Sequence, residues 1–152
     1  MNEQLQPVFA IEKIYVKDLS LEIPNAPTIF LERDTPEINM QLGGKNQSIE
    51  EGLYEVLLTV TITAKIKDKI MFLVEAQQAG IFRISNIPDE EINPVLGIGC
   101  PNILFPYLRE VISDVVTRAG FPPVILSPVN FEVIYQQKKP KQTRSIKCVR
   151  VN

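Results

Sequence analysis

Residues 99–131 read GCPNILFPYLREVISDVVTRAGFPPVILSPVNF. Between Tyr107 and Ala119 the apolar residues fall at Tyr107, Leu108, Val111, Ile112, Val115, Val116 and Ala119, separated by Arg109, Glu110, Ser113, Asp114, Thr117 and Arg118. Spacings of three and four gather the first set on one wide face, so the pattern predicts an amphipathic helix. Pro101 suits a first helical turn, where its missing N–H is no loss, and Pro106 is expected to restart or kink that turn. Gly120 followed by Pro122 and Pro123 stops the helix. Asp114 and Arg118, one turn apart with the acid first, belong on a solvated face. A helix of this kind needs another layer to cover its apolar side.

Upstream, the period changes from helical to two. In Tyr54–Lys67 the residues Tyr54, Val56, Leu58, Val60, Ile62, Ala64 and Ile66 share one face, with Glu55, Thr59, Thr61, Thr63, Lys65 and Lys67 on the other, which is a strand buried on one side. Lys67-Asp68-Lys69 turns the chain into a partner strand, Ile70–Ile84, on which Leu73, Glu75 and Gln77 share one face and Val74, Ala76 and Gln78 the other. This strand is apolar on both faces for much of its length, and one helix covers one face, so oligomerisation is expected. Phe9–Glu22 reads as a strand with Asp18, Ser20 and Glu22 on one side and Leu19 and Leu21 on the other; Asp18 and Glu22 then stand about 13 Å apart. Glu37–Leu42 alternates as well and is expected to turn at Gly43-Gly44-Lys45-Asn46, with Glu50, Glu51 and Gly52 in a polar connection. Pro24-Asn25-Ala26-Pro27 breaks the first strand, and a loop to Pro36 carries Ile29, Phe30 and Leu31. Pro88–Glu91 reads as a helix start and Gly97-Ile98-Gly99 as a hinge into the long helix. Ser127 is expected to cap, and Pro128 to open, a short helix to Gln137 bearing Phe131, Ile134 and Tyr135. The whole reads as α+β: a four-stranded antiparallel sheet, one long helix and a shorter C-terminal helix.

The totals narrow the function. With 152 residues, 45% apolar and 22% charged, the chain fits one soluble globular domain, expected over residues 1–137. Its apolar runs are broken before the roughly 20 residues of a membrane span, so no membrane insertion is expected. The N-terminus MNEQLQPVF lacks a basic-then-apolar leader, and a cytoplasmic location is expected. Two cysteines, Cys100 and Cys148, make neither a metal knuckle nor a redox pair. No histidine is present, which removes His-based acid–base chemistry, His-activated nucleophiles and His-ligated zinc. With no phosphate loop either, no enzyme, metal or cofactor is expected. All 18 acidic residues precede Gln137, whereas six of the 16 basic ones, Lys138, Lys139, Lys141, Arg144, Lys147 and Arg150, follow it. The body is therefore acidic and residues 138–152 form a basic tail. No aromatic interleaves these basic residues, which argues against a nucleic-acid stacking platform.

The strings CPNILFPYLRE and GFPPVILSPVNF, with YVKDLSLEIPNAP near the N-terminus, resemble the SecB family of protein-export chaperones. The resemblance implies an ATP-independent holdase that keeps precursor proteins unfolded and delivers them to the SecA motor. It implies a homotetramer, a dimer of dimers with the long helices between two sheets formed across subunits. Asp18, Glu22, Leu73 and Glu75 match the family's SecA-binding surface, and Val74, Ala76 and Gln78 match positions that influence the tetramer interface. Phe30 in the crossover loop, with Phe131 and Tyr135 on the last helix, corresponds to the client groove. Two departures stand out: Thr35 occupies the place of a crossover-loop tryptophan, and the tail is basic where the family's is polar or acidic. A SecB-like chaperone dedicated to one client such as an antitoxin, or a small protein using its tail on nucleic acid, are the alternative readings.

Overall fold

A computed structural model describes residues 5–138; apart from Lys138, the expected basic tail and Cys148 lie outside them. Four strands, β1 (Val8–Glu22), β2 (Glu37–Glu50), β3 (Leu53–Ile66) and β4 (Lys69–Ser85), form one antiparallel sheet in the order β1-β4-β3-β2. The β3 face expected to be apolar is the core face, with Val60, Ile62 and Ala64 fully buried. Lys67 and Asp68 make the two-residue turn into β4, both with positive φ (50° and 66°), the geometry that matches the twist of a hairpin.

The turn expected at Gly43–Asn46 is not there. β2 continues straight through it, Gly43 opposite Thr59 and Asn46 opposite Val56, and reverses only at Glu51-Gly52, where Gly52 has φ +78°. The glycines lie inside the strand instead, where a Cβ on Gly44 would meet Leu58 Cδ2 at 3.4 Å, an ordinary contact distance.

β1 carries two irregularities of register, at Glu12 and at Lys17. Each inserts one residue outside the ladder and so inverts the odd–even pattern beyond it. As a result Phe9, Ile11, Ile14, Val16, Leu19 and Leu21 pair with even-numbered β4 residues from Ile84 to Val74 and lie on the same side as the core face, while Lys13, Tyr15, Asp18, Ser20 and Glu22 lie on the opposite side.

α1 (Asp89–Pro94) passes through a wide π turn (Val95–Gly99) into α2 (Cys100–Arg118). Gly97-Ile98-Gly99 is therefore not a hinge but part of one helical run, Asp89–Arg118. The Cys100 N–H reaches back five residues to the Val95 carbonyl. A proline ring collides with the carbonyl four residues before it, and widening the turn ahead of Pro101 relieves that crowding at Gly97. Within this 30-residue run an 18-residue stretch reaches a mean hydropathy of 1.2, apolar enough by length and composition alone to cross a membrane, as the core helix of a folded domain also can be. In the fold it lies across β4 and β3, with Leu104, Leu108, Ile112 and Val116 fully buried against the sheet. Tyr107, expected on that face, is half exposed instead. α2 ends as Gly120 (φ +95°) donates to the Thr117 carbonyl and Phe121 to that of Val116, closing the helix with left-handed backbone.

The chain then runs back, without turn or ladder, over residues 122–130 to α3 (Phe131–Lys138). Ser127 does not cap α3. Asn130 does, its Oδ1 accepting the Val133 N–H at 3.1 Å, while the Ser127 hydroxyl is buried without a partner among the described residues.

Candidate functional site

The sheet has one face under α2 and one open face, and the expected SecA-binding residues share the open one. Register sets Asp18 opposite Gln77, Ser20 opposite Glu75 and Glu22 opposite Leu73. Directly opposed residues lie about 5 Å apart and successive same-face residues about 7 Å, so three carboxylates occupy a patch some 13 Å long. Leu73 is half-buried between them and supplies an apolar centre. Thr59, Thr61 and Thr63 continue the face on β3. Among the described residues Asp18, Glu22 and Glu75 form no ion pair, so their charge is open to a basic partner. Beside them Gln41, Gly43, Lys45, Leu57, Thr59 and Gln77 border a shallow depression of about 280 Å³.

Next to this patch lies a cluster that the sequence does not reveal. Glu55, only 7% exposed, accepts hydrogen bonds from the Tyr15 hydroxyl, from Lys17 Nζ (3.0 and 3.1 Å) and from Gln47 Nε2 (2.9 Å). Burial alone would raise the Glu55 carboxyl, but those three donors and the Lys17 charge outweigh it and hold the carboxyl below its usual range. Burial, then the bond to Glu55 and its charge, push the Tyr15 phenol up to about 12. Ala79 of β4 lies between Tyr15 and Leu57 in register, and its small side chain lets groups from β1, β2 and β3 meet above β4. The cluster fixes Lys17, the extra residue immediately before Asp18.

The expected client-groove residues lie on the α2 side. Phe30 stacks on Phe121 (centroids 5.0 Å), which in turn contacts Phe72 of β4 at 5.2 Å. Phe30 is thus a loop anchor and still 41% exposed. Its loop is tied to the β3–β4 turn by Asn25 Nδ2 to the Ile70 carbonyl (2.9 Å) and by Lys67 to Asp34 (3.3 Å). Phe131 meets Phe105 edge-on at 5.8 Å, and the Tyr135 ring lies over Gly97 in the π turn. Phe30 and Tyr135 therefore sit by opposite ends of the helical run, about 35 Å apart at ~1.5 Å per residue. Within one chain they do not face each other; with Ile125 and Val133, both nearly half exposed, they mark out a track along the helix.

Val74, Ala76 and Gln78 are not on the protomer's surface, at 1%, 1% and 3% exposure. They form the floor between α2 and β1, opposite Leu21, Leu19 and Val16, and Gln78 Nε2 donates to the Tyr15 carbonyl. The exposed neighbours are on β1 itself: Phe9, Ile11, Val16, Leu19 and Leu21 are 37–48% exposed. The stripe lies on an edge strand whose outer backbone groups have no ladder partner among the described residues. Sequence reasoning missed its upper half because the irregularities invert the alternation.

An antiparallel sheet backed by one long helix, with a carboxylate patch on one side and, on the other, an exposed Phe30 and a half-buried Tyr135 beside a buried Phe131, defines a small α+β binding protein. Residues 2–142 match the family model for the preprotein translocase subunit SecB, and the chain belongs to that family of protein-export chaperones. It is 67% identical over 144 residues to the protein-export protein SecB of Nitrosospira multiformis, covering 95% of this chain and 91% of that one. With the protein-export protein SecB of Nitrosomonas eutropha it shares 70% identity over 138 residues, 90% of this chain and 86% of the other. A Mycobacterium tuberculosis SecB-like chaperone, solved in complex with a ChAD peptide from the HigA1 antitoxin, superposes with a TM-score of 0.66 at 15% identity, covering 80% of this chain and 90% of that one, and shares its fold.

Proposed function

We propose that this chain acts in the cytoplasm as a homotetrameric holdase, a dimer of dimers that binds unfolded precursor proteins and passes them to SecA without ATP, cofactor or catalytic step. The observation that carries this reading is the division of the sheet. Carboxylates Asp18, Glu22 and Glu75 surround Leu73 on the open face, while the aromatic track runs on the helix side. A client and a basic motor segment thus meet different faces and do not compete. Binding non-native chains draws the folding equilibrium toward the unfolded form by mass action, and several grooves on one assembly raise avidity without a tight single contact.

The β1 edge supports the tetramer. Two such edges, each with a stripe from Phe9 to Leu21, can pair across a twofold axis and extend the sheet. Val74, Ala76 and Gln78 act on that interface from beneath, by seating Leu21, Leu19 and Val16.

The test measures binding of the purified chain to a permanently unfolded polypeptide, to its folded counterpart and to SecA, beside the variant Asp18→Lys/Glu75→Lys. The wild type is expected to bind only the unfolded form, and the variant to keep that binding while losing SecA. Equal loss of both partners would refute the division of faces. A strong preference for one client over unrelated unfolded chains would instead identify the dedicated-chaperone reading.

A further inference from the structure

Lys17 is the cation nearest along the chain to the acidic patch, yet it forms no ion pair with Asp18, the very next residue. Because Lys17 is extra to the β1–β4 ladder, no pairing partner dictates the course of its side chain, and its long flexible stem can bring the ammonium to Asp18. The ammonium instead donates to both oxygens of Glu55 on β3, at 3.1 and 3.0 Å. Burial decides between the two carboxylates. The Glu55 side chain is 9% exposed, so water screens a cation beside it little, whereas Asp18 is exposed and a pair there is weakened by solvent. Tyr15 and Gln47 complete the shell of Glu55 from β1 and β2; although burial alone would raise the carboxyl, these donors and Lys17 keep it ionised. The other cations of this face stand further off or are engaged. Lys13 is four β4 positions along from Asp18, Lys45 is on β2, three strands from β1, Lys65 is on β3 beyond β4, and Arg83 is held by Glu12 at 2.8 Å.

We propose that Glu55 is a positioning residue for the acidic docking face: by holding the Lys17 ammonium it keeps that charge off Asp18 and leaves the carboxylates of Asp18, Glu22 and Glu75 negative toward a basic segment of the partner. The proposal rests on the docking role given to that face above, and adds a residue that acts through Lys17 rather than by contact. Lys17 and Glu55 together carry no net charge. Replacing Glu55 by glutamine keeps its shape and an acceptor oxygen for its neighbours, but leaves a full positive charge without its partner next to Asp18. The freed ammonium then cancels one carboxylate of the patch and occupies the place that a partner's cation would take. Complementary charge across an interface selects and speeds docking, so one misplaced cation at the patch is felt there directly.

The test titrates purified SecA with the full chain at low salt, as wild type, Glu55→Gln, Lys17→Gln and the double variant, with circular dichroism as the check on folding. Glu55→Gln is expected to bind about fivefold more weakly, the worth of one exposed ion pair, and the loss to shrink as salt is raised. Lys17→Gln, whose ammonium is already withdrawn, is expected to stay within about twofold of wild type. The double variant has no ammonium to release and should return to that level. Glu51→Gln, in the β2–β3 turn at the other end of the sheet, removes the same charge and should leave affinity unchanged. A double variant as weak as Glu55→Gln would reduce Glu55 to a structural residue, and an equal loss in Glu51→Gln would reduce the effect to net charge; either overturns the proposal, as does undiminished binding by Glu55→Gln. Should Glu55→Gln not fold, Lys17→Gln decides, unchanged affinity upholding the proposal and a gain as large as the expected loss placing Lys17 on the patch already and overturning it. All these refutations leave the docking reading standing. Failure of the wild type to bind SecA would overturn both.

Discussion

Gly97→Ala is expected to destabilise the protein even though alanine is the better helix former. In an open helix interior the change gains about 1 kcal/mol. At this site the new Cβ would lie 2.5 Å from Tyr135 Cδ1 and 2.9 Å from Cε1, far inside the ~3.5–4.0 Å at which carbon atoms rest. The ring must therefore leave and α3 shift with it, exposing part of a half-buried aromatic at a cost of roughly 1.5–3 kcal/mol. The net effect is a loss of about 1 kcal/mol. In a Tyr135→Ala background the obstacle is gone, and the same Gly97→Ala change should stabilise by up to about 1 kcal/mol. Urea unfolding of the four proteins at one fixed chain concentration closes the cycle, with a coupling of about 2 kcal/mol between the two positions. If Gly97→Ala stabilises both backgrounds alike, Tyr135 is not seated in the π turn and the argument for the position of α3 fails.

Glu55 has a depressed folded-state pKa, so its contribution is fully present above the ordinary glutamate value near 4.3 and is lost as pH falls through the lower folded value. Glu55→Gln should be less stable than wild type at neutral pH, with the gap closing in acid; a pH-independent gap would show that charge is not involved. Phe121→Ala, at a buried ring touching Phe30 and Phe72, should cost about 3–5 kcal/mol, whereas Phe30→Ala should cost about 1 kcal/mol and weaken unfolded-client binding more than stability. Equal stability losses would make Phe30 a plain core residue. Leu19→Asp on the β1 stripe should lower the assembly state seen by sedimentation while preserving the circular dichroism spectrum, and an unchanged assembly state would remove that stripe from the proposed interface.

Much of this fold is visible in residue spacing alone. Leu58 to Ile66 alternates without interruption, Lys67-Asp68 can only turn, and the three–four spacing from Leu108 to Ala119 faces the sheet as its pattern requires. Spacing failed where a residue had two physical uses. Gly43-Gly44 suits a turn or the interior of a strand, and only the partner strand decides between them. Gly97-Ile98-Gly99 suggests a hinge until the proline that follows and the ring above it are known, because both act through space. The acidic patch was legible because Asp18, Ser20 and Glu22 lie beyond the last irregularity, in one unbroken phase with β4. The Glu55 cluster was not, since Tyr15, Lys17, Gln47 and Glu55 come from three strands and no local pattern unites them. The resemblance to SecB supplied roles for positions whose chemistry alone is ambiguous. It did not supply the burial of Val74, Ala76 and Gln78, which belongs to the packing of one protomer.

The two irregularities in β1 also determine where a change in that strand's length leaves its faces in place. Glu12 and Lys17 are extra to the ladder, whatever their side chains hold (Arg83 and Glu55): on either side of each, β4 pairing runs on without a gap, Ile11 with Phe82 and Lys13 with Ile81, Val16 with Gln78 and Asp18 with Gln77. Deleting either one would shorten the strand and leave every remaining side chain on its present face. Deleting any other residue would turn over all those between the cut and the nearer extra residue, carrying leucines or carboxylates to the wrong side of the sheet.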